Sequence, residues 1–250
     1  MPTAARPTTP AAVLAALLRA DATAPRLTTY DDTDGPGGGE RVELSARVLA
    51  NWVAKAGNAL QDELDVGAGD TVLLALPPHW RAVYWALAAW SVGAVVELPD
   101  GDPVAASGAA DGVVVSDDVD VVAAAPGPAV LVSLPMLSRA HPGAPVGAMD
   151  EARELATYGD LLTPLDDLGP HDEALVRGAT RLTAEQVARS RPEWGETPRV
   201  LLRGTDLADV LADAVAAWAA GGSVVLVRGG AADQSARAQV ERVTVDARRG

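Results

Sequence analysis

No cysteine and no phenylalanine occur among the 250 residues, histidine appears three times, and lysine appears once, at Lys55. Each shortage removes a class of chemistry. Without cysteine there is no disulfide framework, no thiolate nucleophile and no cysteine metal site, which fits a reducing cytoplasm. His79, His141 and His171 share neither an i, i+4 nor a His-x-x-Glu-type spacing, so a histidine metal site has no support. Ser107, Ser116 and Ser133 lie outside any G-x-S-x-G setting, which leaves a serine hydrolase unsupported. Positive charge is short as well: 20 Lys and Arg stand against 34 Asp and Glu, a formal net charge of −14 with a pI near 4.5. Nucleic-acid affinity comes largely from Lys and Arg neutralising phosphates, so no nucleic-acid partner is expected. No run reaches the roughly 18 apolar residues of a membrane span, so no membrane association is expected. No period of about 20–50 residues marks a repeat array.

What is present is apolar and well punctuated. Hydrophobic residues make up 48%, and 24 Gly and 18 Pro are scattered between periodic segments, the pattern of a folded chain with a full core. AAVLAALLRADATA (11–24) reads as a docking helix, not a secretion signal: Thr9 and Pro10 suit N-cap and N1, and Val13, Leu14, Leu17 and Leu18 form one stripe. LTTYDD (27–32) and ERVELS (40–45) predict a hairpin with a glycine-rich tip. Those glycines link two polar strands instead of a buried strand and a helix start, so they are not a phosphate loop. Ser45 caps a helix carrying Leu49, Val53, Ala56, Leu60 and Leu64 and ending at Gly67. A buried strand follows from Thr71 to Leu76, then Pro77 and Pro78, with His79 read as a surface residue at a helix start. Trp80, Val83, Tyr84, Leu87 and Trp90 make the next helical stripe, and Gly93 precedes a strand over 94–98.

Further strands are predicted at 112–116, 129–134, 200–202, 223–227 and 243–246, and helices at 207–219 and 233–242; Thr183 and Gln186 form a capping box. Strands alternating with helices indicate an α/β fold of largely parallel sheets flanked by helices. The chain is read as a single domain over 1–250. Its approximate halves, 8–138 and 150–246, are joined by a Pro-, Gly- and Ala-rich loop over 139–149. The acidic run from Ser116 to Asp120 lacks the glycine and distal Glu of a calcium loop and reads as a solvated turn after a strand.

ELSARVLANWVAKAGNAL and VGAGDTVLLALPPHWRAVYWALAAWSVGAVVEL resemble the N-terminal subdomain of the adenylate-forming superfamily: acyl-CoA synthetases, peptide-synthetase adenylation domains and luciferases, and within it short actinobacterial relatives. The matching positions are Gly69-Asp70-Thr71-Val72, Leu76-Pro77-Pro78-His79-Trp80, Leu87-Ala88-Ala89-Trp90 and Gly93-Ala94-Val95-Val96. A second match joins GATRLTAEQVARS (178–190), similar to the segment just after the family's phosphate loop, to LLRGTDLADVLADAVAAWAAGGSVVLV. The likeness runs over about residues 8–245, in scaffold motifs.

That resemblance implies attack of a carboxylate on the α-phosphate of ATP, with the pyrophosphate held by a Ser/Thr/Gly-rich loop ending in Pro-Lys-Gly. The corresponding stretch, LDDLGPHDEALVRGATRLT (165–183), has neither the cluster nor the lysine, and it brings Asp166, Asp167, Asp172 and Glu173. Candidate nucleotide- or substrate-binding residues are Arg177, as a substitute cation, with Gly178, Thr180, Arg203 and Thr205; Thr205 or Asp206 also suits the N-cap of the next helix. No catalytic residue and no metal ligand is assigned. By the resemblance, the adenine and acyl motifs, the ribose Asp and the domain bearing the catalytic lysine belong beyond Gly250, and Lys55 sits on an N-terminal helix. The expected protein is therefore a truncated, catalytically degenerate binding or interaction module without a cofactor. It is expected to be cytoplasmic and to form a homo-oligomer or bind a protein partner through an open edge left by the last strand. The alternative is a ligase or half-enzyme that binds ATP, AMP with Mg²⁺, or an acyl-adenylate and takes its missing parts from a partner.

Overall fold

A computed structural model describes residues 6–33, 39–230 and 234–247. The chain opens with α1 (Pro10–Asp21), whose Thr9 side chain caps Ala12 N–H, and the hairpin β1 (Pro25–Asp31) and β2 (Glu40–Ser45). Most of the hairpin's glycine-rich tip, 34–38, lies outside the described residues. Ser45 accepts from Val48 N–H and starts α2 (Ala46–Asn58), which ends in a π-helical turn, Ala59–Glu63, short of the predicted stop at Gly67. Then follow β3 (Thr71–Ala75), α3 (Trp80–Ser91), β4 (Val95–Glu97), α4 (Pro103–Gly108), β5 (Val113–Ser116), α5 (Val119–Ala124) and β6 (Ala129–Leu131). After the 132–148 loop come β7 (Met149–Asp150), α6 (Glu151–Glu154), the hairpin β8 (Glu173–Arg177) and β9 (Thr180–Thr183), and α7 (Ala184–Val187) with both bonds of the capping box. The chain closes with β10 (Arg199–Leu202), α8 (Leu207–Ala219), β11 (Ser223–Arg228), α9 (Gln234–Val240) and β12 (Val245–Ala247), two residues later than the predicted last strand.

These strands make two mostly parallel sheets, ordered β12-β10-β11-β1-β2 and β7-β6-β5-β3-β4-β8-β9. Both draw strands from either side of the 139–149 loop, because β1 pairs in parallel with β11 from Leu27↔Val224 to Asp31↔Arg228. Alternation along the strands shows why both faces are buried. Val72 and Leu74 of β3, with Val113 and Val115 of β5, join the main core, while Leu73 and Val114 point to a second core under α4 and α5. In the other sheet Val200, Leu202, Val224 and Leu226 face the main core, and Leu201 and Val225 face Ala238 of α9. The main core is the layer of α1, α2, α3 and α8 between the two sheets.

Helix α3 lies at the centre of that layer, and every residue from Trp80 to Trp90 is buried. Trp52 stacks on Tyr84 at 5.7 Å between centroids and meets Trp80 edge-on at 5.9 Å. The Trp90 indole donates to the Ala174 carbonyl at 2.7 Å and fastens α3 to β8. Arg81 is also buried, and its guanidinium donates to both Glu151 oxygens at 3.0 Å, to the Leu134 carbonyl at 3.3 Å and to the Pro135 carbonyl at 3.0 Å. Burial pushes the Glu151 carboxyl up to about 7, against the pull of Arg81.

His79 is not at the surface, as its place before the helix suggested. It is 3% exposed, caps α3 by accepting from Arg81 N–H at 3.3 Å, and lies beside Trp80. Burial first, then the charge of Arg81, holds its imidazole down at about 3. Its folded pKa is depressed below the unfolded value, so the neutral imidazole contributes stability that is present above pH ~6.5 and lost as pH falls towards 3. Glu151 acts in the opposite sense, with stability declining as pH rises from about 4.5 to about 7. The difference between wild type and His79→Asn, which keeps a capping side chain, isolates the histidine. Urea unfolding from pH 7.5 to 4 is expected to show wild type losing up to about 3 kcal/mol relative to His79→Asn; parallel profiles would show that His79 does not titrate with unfolding.

Candidate functional site

Successive crossovers leave β3 in opposite directions, with β4 on one side of it and β5 on the other. In an open α/β sheet such a reversal leaves a crevice beyond the carboxyl ends of the strands. A cavity of about 460 Å³ occupies that place. Leu74 and Leu76 at the end of β3, Leu98 after β4, Val121 of α5 and Leu207 of α8 supply apolar wall.

Ser116 and Asp118 are committed to local structure. The Ser116 hydroxyl donates to the Ala75 carbonyl at 2.9 Å and accepts from Asp118 N–H at 3.1 Å, tying the ends of β3 and β5, and Asp118 caps α5 through Asp120 N–H at 2.8 Å. Asp117 lies between them on the cavity wall and is partly buried, a departure at that residue from the reading of 116–120 as a solvated turn, in which Asp118 and Asp120 are exposed. Burial pushes its carboxyl up from the usual range, against its own backbone N–H and the charge of Arg228.

Across the cavity stand Arg177, Thr205 and Asp206. Asp206 is the N-cap of α8, accepting from Ala208 N–H at 2.9 Å and Asp209 N–H at 3.3 Å, and its second oxygen binds the Arg177 guanidinium. Partial burial opposes ionisation, but the Arg177 hydrogen bond and the helix amides keep the Asp206 carboxyl below its usual range. Arg177 therefore already has an anion. Gly178 and Ala179 join β8 to β9 as a two-residue turn closed by the Arg177↔Thr180 pair. Gly178 has φ +53°, the left-handed value a hairpin of this length requires at its first central residue, and a Cβ there would strike the Asp100 carboxylate.

Thr180 turns away to a second cavity of about 410 Å³, shared by Arg177, Gln186, Arg189, Arg191 and Asp206. There Arg191 pairs with Asp213 and lies 5.0 Å over the Trp194 ring. Arg203 lines neither cavity and pairs with Asp246 of β12. Of the residues singled out from sequence, Arg177 and Thr205 thus share the first cavity, and Arg177 and Thr180 the second. Asp117 was missed as a wall residue, since only the strand order shows that the turn after β5 faces the crevice. Among the described residues no group of three or more His, Asp or Glu is placed to hold a metal ion, and no helix is long and apolar enough to cross a membrane.

No protein-family model matches the sequence. A TIGR03089 family protein of Mycobacterium tuberculosis is 37% identical over 194 residues, covering 73% of this chain and 78% of the relative. The chain belongs to the TIGR03089 family. Its fold is shared with M. tuberculosis fatty acyl CoA synthetase (TM-score 0.67, 15% identity, 96% of this chain and 49% of that one) and Brucella canis acyl-CoA synthetase (0.67, 17%, 94% and 45%). It is shared too with the Klebsiella oxytoca NpsA N-terminal subdomain in complex with 3-hydroxybenzoyl-AMSN (0.65, 15%, 95% and 59%). This TIGR03089 family member spans roughly half the length of the solved chains it matches and has the fold of the N-terminal subdomains of adenylate-forming enzymes. The predicted α/β class, the mostly parallel sheets and the superfamily likeness are all borne out.

Asp206 has two jobs and Arg177 one. Asp206→Ala removes a helix cap and is expected to cost about 1–2 kcal/mol, whereas Arg177→Ala breaks a half-exposed ion pair and is expected to cost less than about 1 kcal/mol. Urea denaturation of the two variants checks the order; equal losses would show that the cap contributes nothing beyond the pair.

Proposed function

We propose that this TIGR03089 family protein is a non-adenylating relative of the adenylate-forming enzymes that works as a binding and interaction module in the cytoplasm. The observation that carries this reading is the two-residue turn at Gly178 and Ala179. The resemblance puts a glycine-rich, lysine-ended phosphate loop there. A hairpin this tight offers no run of convergent backbone N–H groups to surround a triphosphate. Arg177, which stands where the lysine belongs, is bound to Asp206, so a phosphate would have to displace a carboxylate that also caps α8. With Asp117 and Asp118 on the same wall, the crevice carries more negative than positive charge. ATP and AMP are therefore not its ligands on this reading.

Two measurements test it. Pyrophosphate exchange with ATP, Mg²⁺ and a panel of aliphatic and aromatic carboxylates is expected to stay at background. The acyl-adenylate mimic 3-hydroxybenzoyl-AMSN is expected to leave the melting temperature unchanged, since a ligand of the native state stabilises by RT ln(1 + [L]/Kd). Exchange above background, or a dose-dependent shift with the mimic, would replace this reading by the ligase or half-enzyme alternative. The interaction part of the proposal rests on β12, a three-residue edge strand with β10 as its neighbour. An edge of this kind presents backbone donors and acceptors to another chain. Light scattering across a concentration series is expected to give a dimer; a monomer throughout removes self-association from the proposal.

A further inference from the structure

We infer that the cavity between β3 and β5 binds a small amphipathic amine, its ammonium on Asp117 and its apolar body on Leu74, Leu76, Leu98, Val121 and Leu207. This rests on the non-adenylating reading of the same crevice. Three observations support it independently of one another. The cavity lies at the reversal of strand order, where open α/β sheets take their ligands, and its volume of about 460 Å³ is within the range of small-molecule sites. The wall is mixed, and its apolar part, with Leu74, Leu76, Leu98, Val121 and Leu207, gives an apolar body a surface on which to leave water. The polar groups on the wall differ in what they have left to offer. Ser116 is spent between the Ala75 carbonyl and Asp118 N–H, Asp118 caps α5, and Asp206 is shared between Arg177 and the start of α8.

Asp117 is the exception. Besides the contribution of its own backbone N–H, its carboxylate has no hydrogen-bond donor among the described residues, and Arg228, whose charge reaches it, is bonded to Asp31 at 2.9 Å. The Asp117 carboxylate oxygens therefore have acceptor capacity that a ligand donor in the cavity can take up. An ammonium supplies three donors and the compensating charge. An anion would instead meet Asp117, Asp118 and Asp206 with only Arg177 in its favour. A divalent cation would need oxygen ligands that Asp118 and Asp206 have already given to helix caps.

Three ligands with one body and different heads separate the possibilities: 4-phenylbutylamine, 4-phenylbutanol and 4-phenylbutyrate, titrated calorimetrically into the full chain at pH 7.5. The amine is expected to bind at least about tenfold tighter than the alcohol, the scale of a charge-assisted hydrogen bond, and the carboxylate not at all. Asp117→Asn is expected to bring the amine down to the alcohol's affinity while leaving the alcohol unchanged. Thr205→Trp, a substitution at an exposed wall position, is expected to abolish binding of both by filling the mouth. Equal affinity for amine and alcohol, tighter binding of the carboxylate, no binding at millimolar amine, or an amine affinity unmoved by both variants would overturn the assignment. Pyrophosphate exchange is read on the same preparation. Exchange activity would sink the non-adenylating reading whatever the amine does, and amine failure without exchange would sink this inference alone.

Discussion

A helix buried on every side is the constraint around which the rest of this structure is arranged. Helix α3 runs through the layer shared by both sheets, and from Trp80 to Trp90 none of its residues turns to water. Three tryptophans and a tyrosine meet that demand with area, and the indole of Trp90 meets its own polar requirement at the Ala174 carbonyl. Arg81 is the charge that α3 brings into this layer, and a buried guanidinium without an anion would cost several kcal/mol. Glu151 and the carbonyls of Leu134 and Pro135 answer it, and in doing so they hold α6 and the start of the 132–148 loop against α3.

The shared layer also decides where a ligand could go. With α1, α2, α3 and α8 filling the space between the sheets, α4 and α5 packing outside β3, β5 and β6, and α9 outside β10 and β11, the central strands are covered on both faces. The carboxyl ends of β3 and β5 lie near the start of α8, the helix that packs on the other sheet, so one cavity is walled by elements from both. Arg177 and Asp206 join the two sides by a single ion pair. The wall is thus built from residues about 130 positions apart in the chain, and its shape depends on the long-range pairing of β1 with β11 that completes the second sheet.

Most of the scaffold could be read from residue pattern because its elements are locally determined. Pro10 after Thr9, Ser45 before α2, and the Thr183–Gln186 capping box each state a helix start in two or three residues. The hydrophobic stripes of α3 and α8 and the unbroken apolar runs of β3 and β11 did the rest, with ends displaced by at most one residue. His79 was misread because a polar residue after two prolines looks like a surface turn, and nothing local reveals that it is buried beside Trp80. The crevice failed to show for a related reason. Asp117 follows Val115 and Ser116 as any loop acid follows a strand, and its place in a ligand-sized cavity depends on β3 lying between β4 and β5. Arg177 was visible as a cation, but its neutralisation by Asp206 was not, since the two are 29 residues apart.

On the proposed reading, the tight turn after β8 and the acidity of the crevice are two sides of one electrostatic condition. At an effective dielectric of about 20, two like charges 4 Å apart repel by about 4 kcal/mol. A triphosphate beside Asp117 and Asp206 would meet that repulsion more than once, and with Arg177 already paired there is no free cation on the wall to offset it. Carboxylates are tolerable at strand ends only where no polyanion has to bind. The same carboxylates that exclude ATP are free to shape the crevice: Asp118 and Asp206 start two helices, Asp206 fixes Arg177, and Asp117 is left facing the cavity with no partner but its own backbone N–H among the described residues. Specificity in such a site follows from charge and desolvation together. The apolar part of the wall favours a ligand with an apolar body, and Asp117 favours one whose polar end carries donors and positive charge.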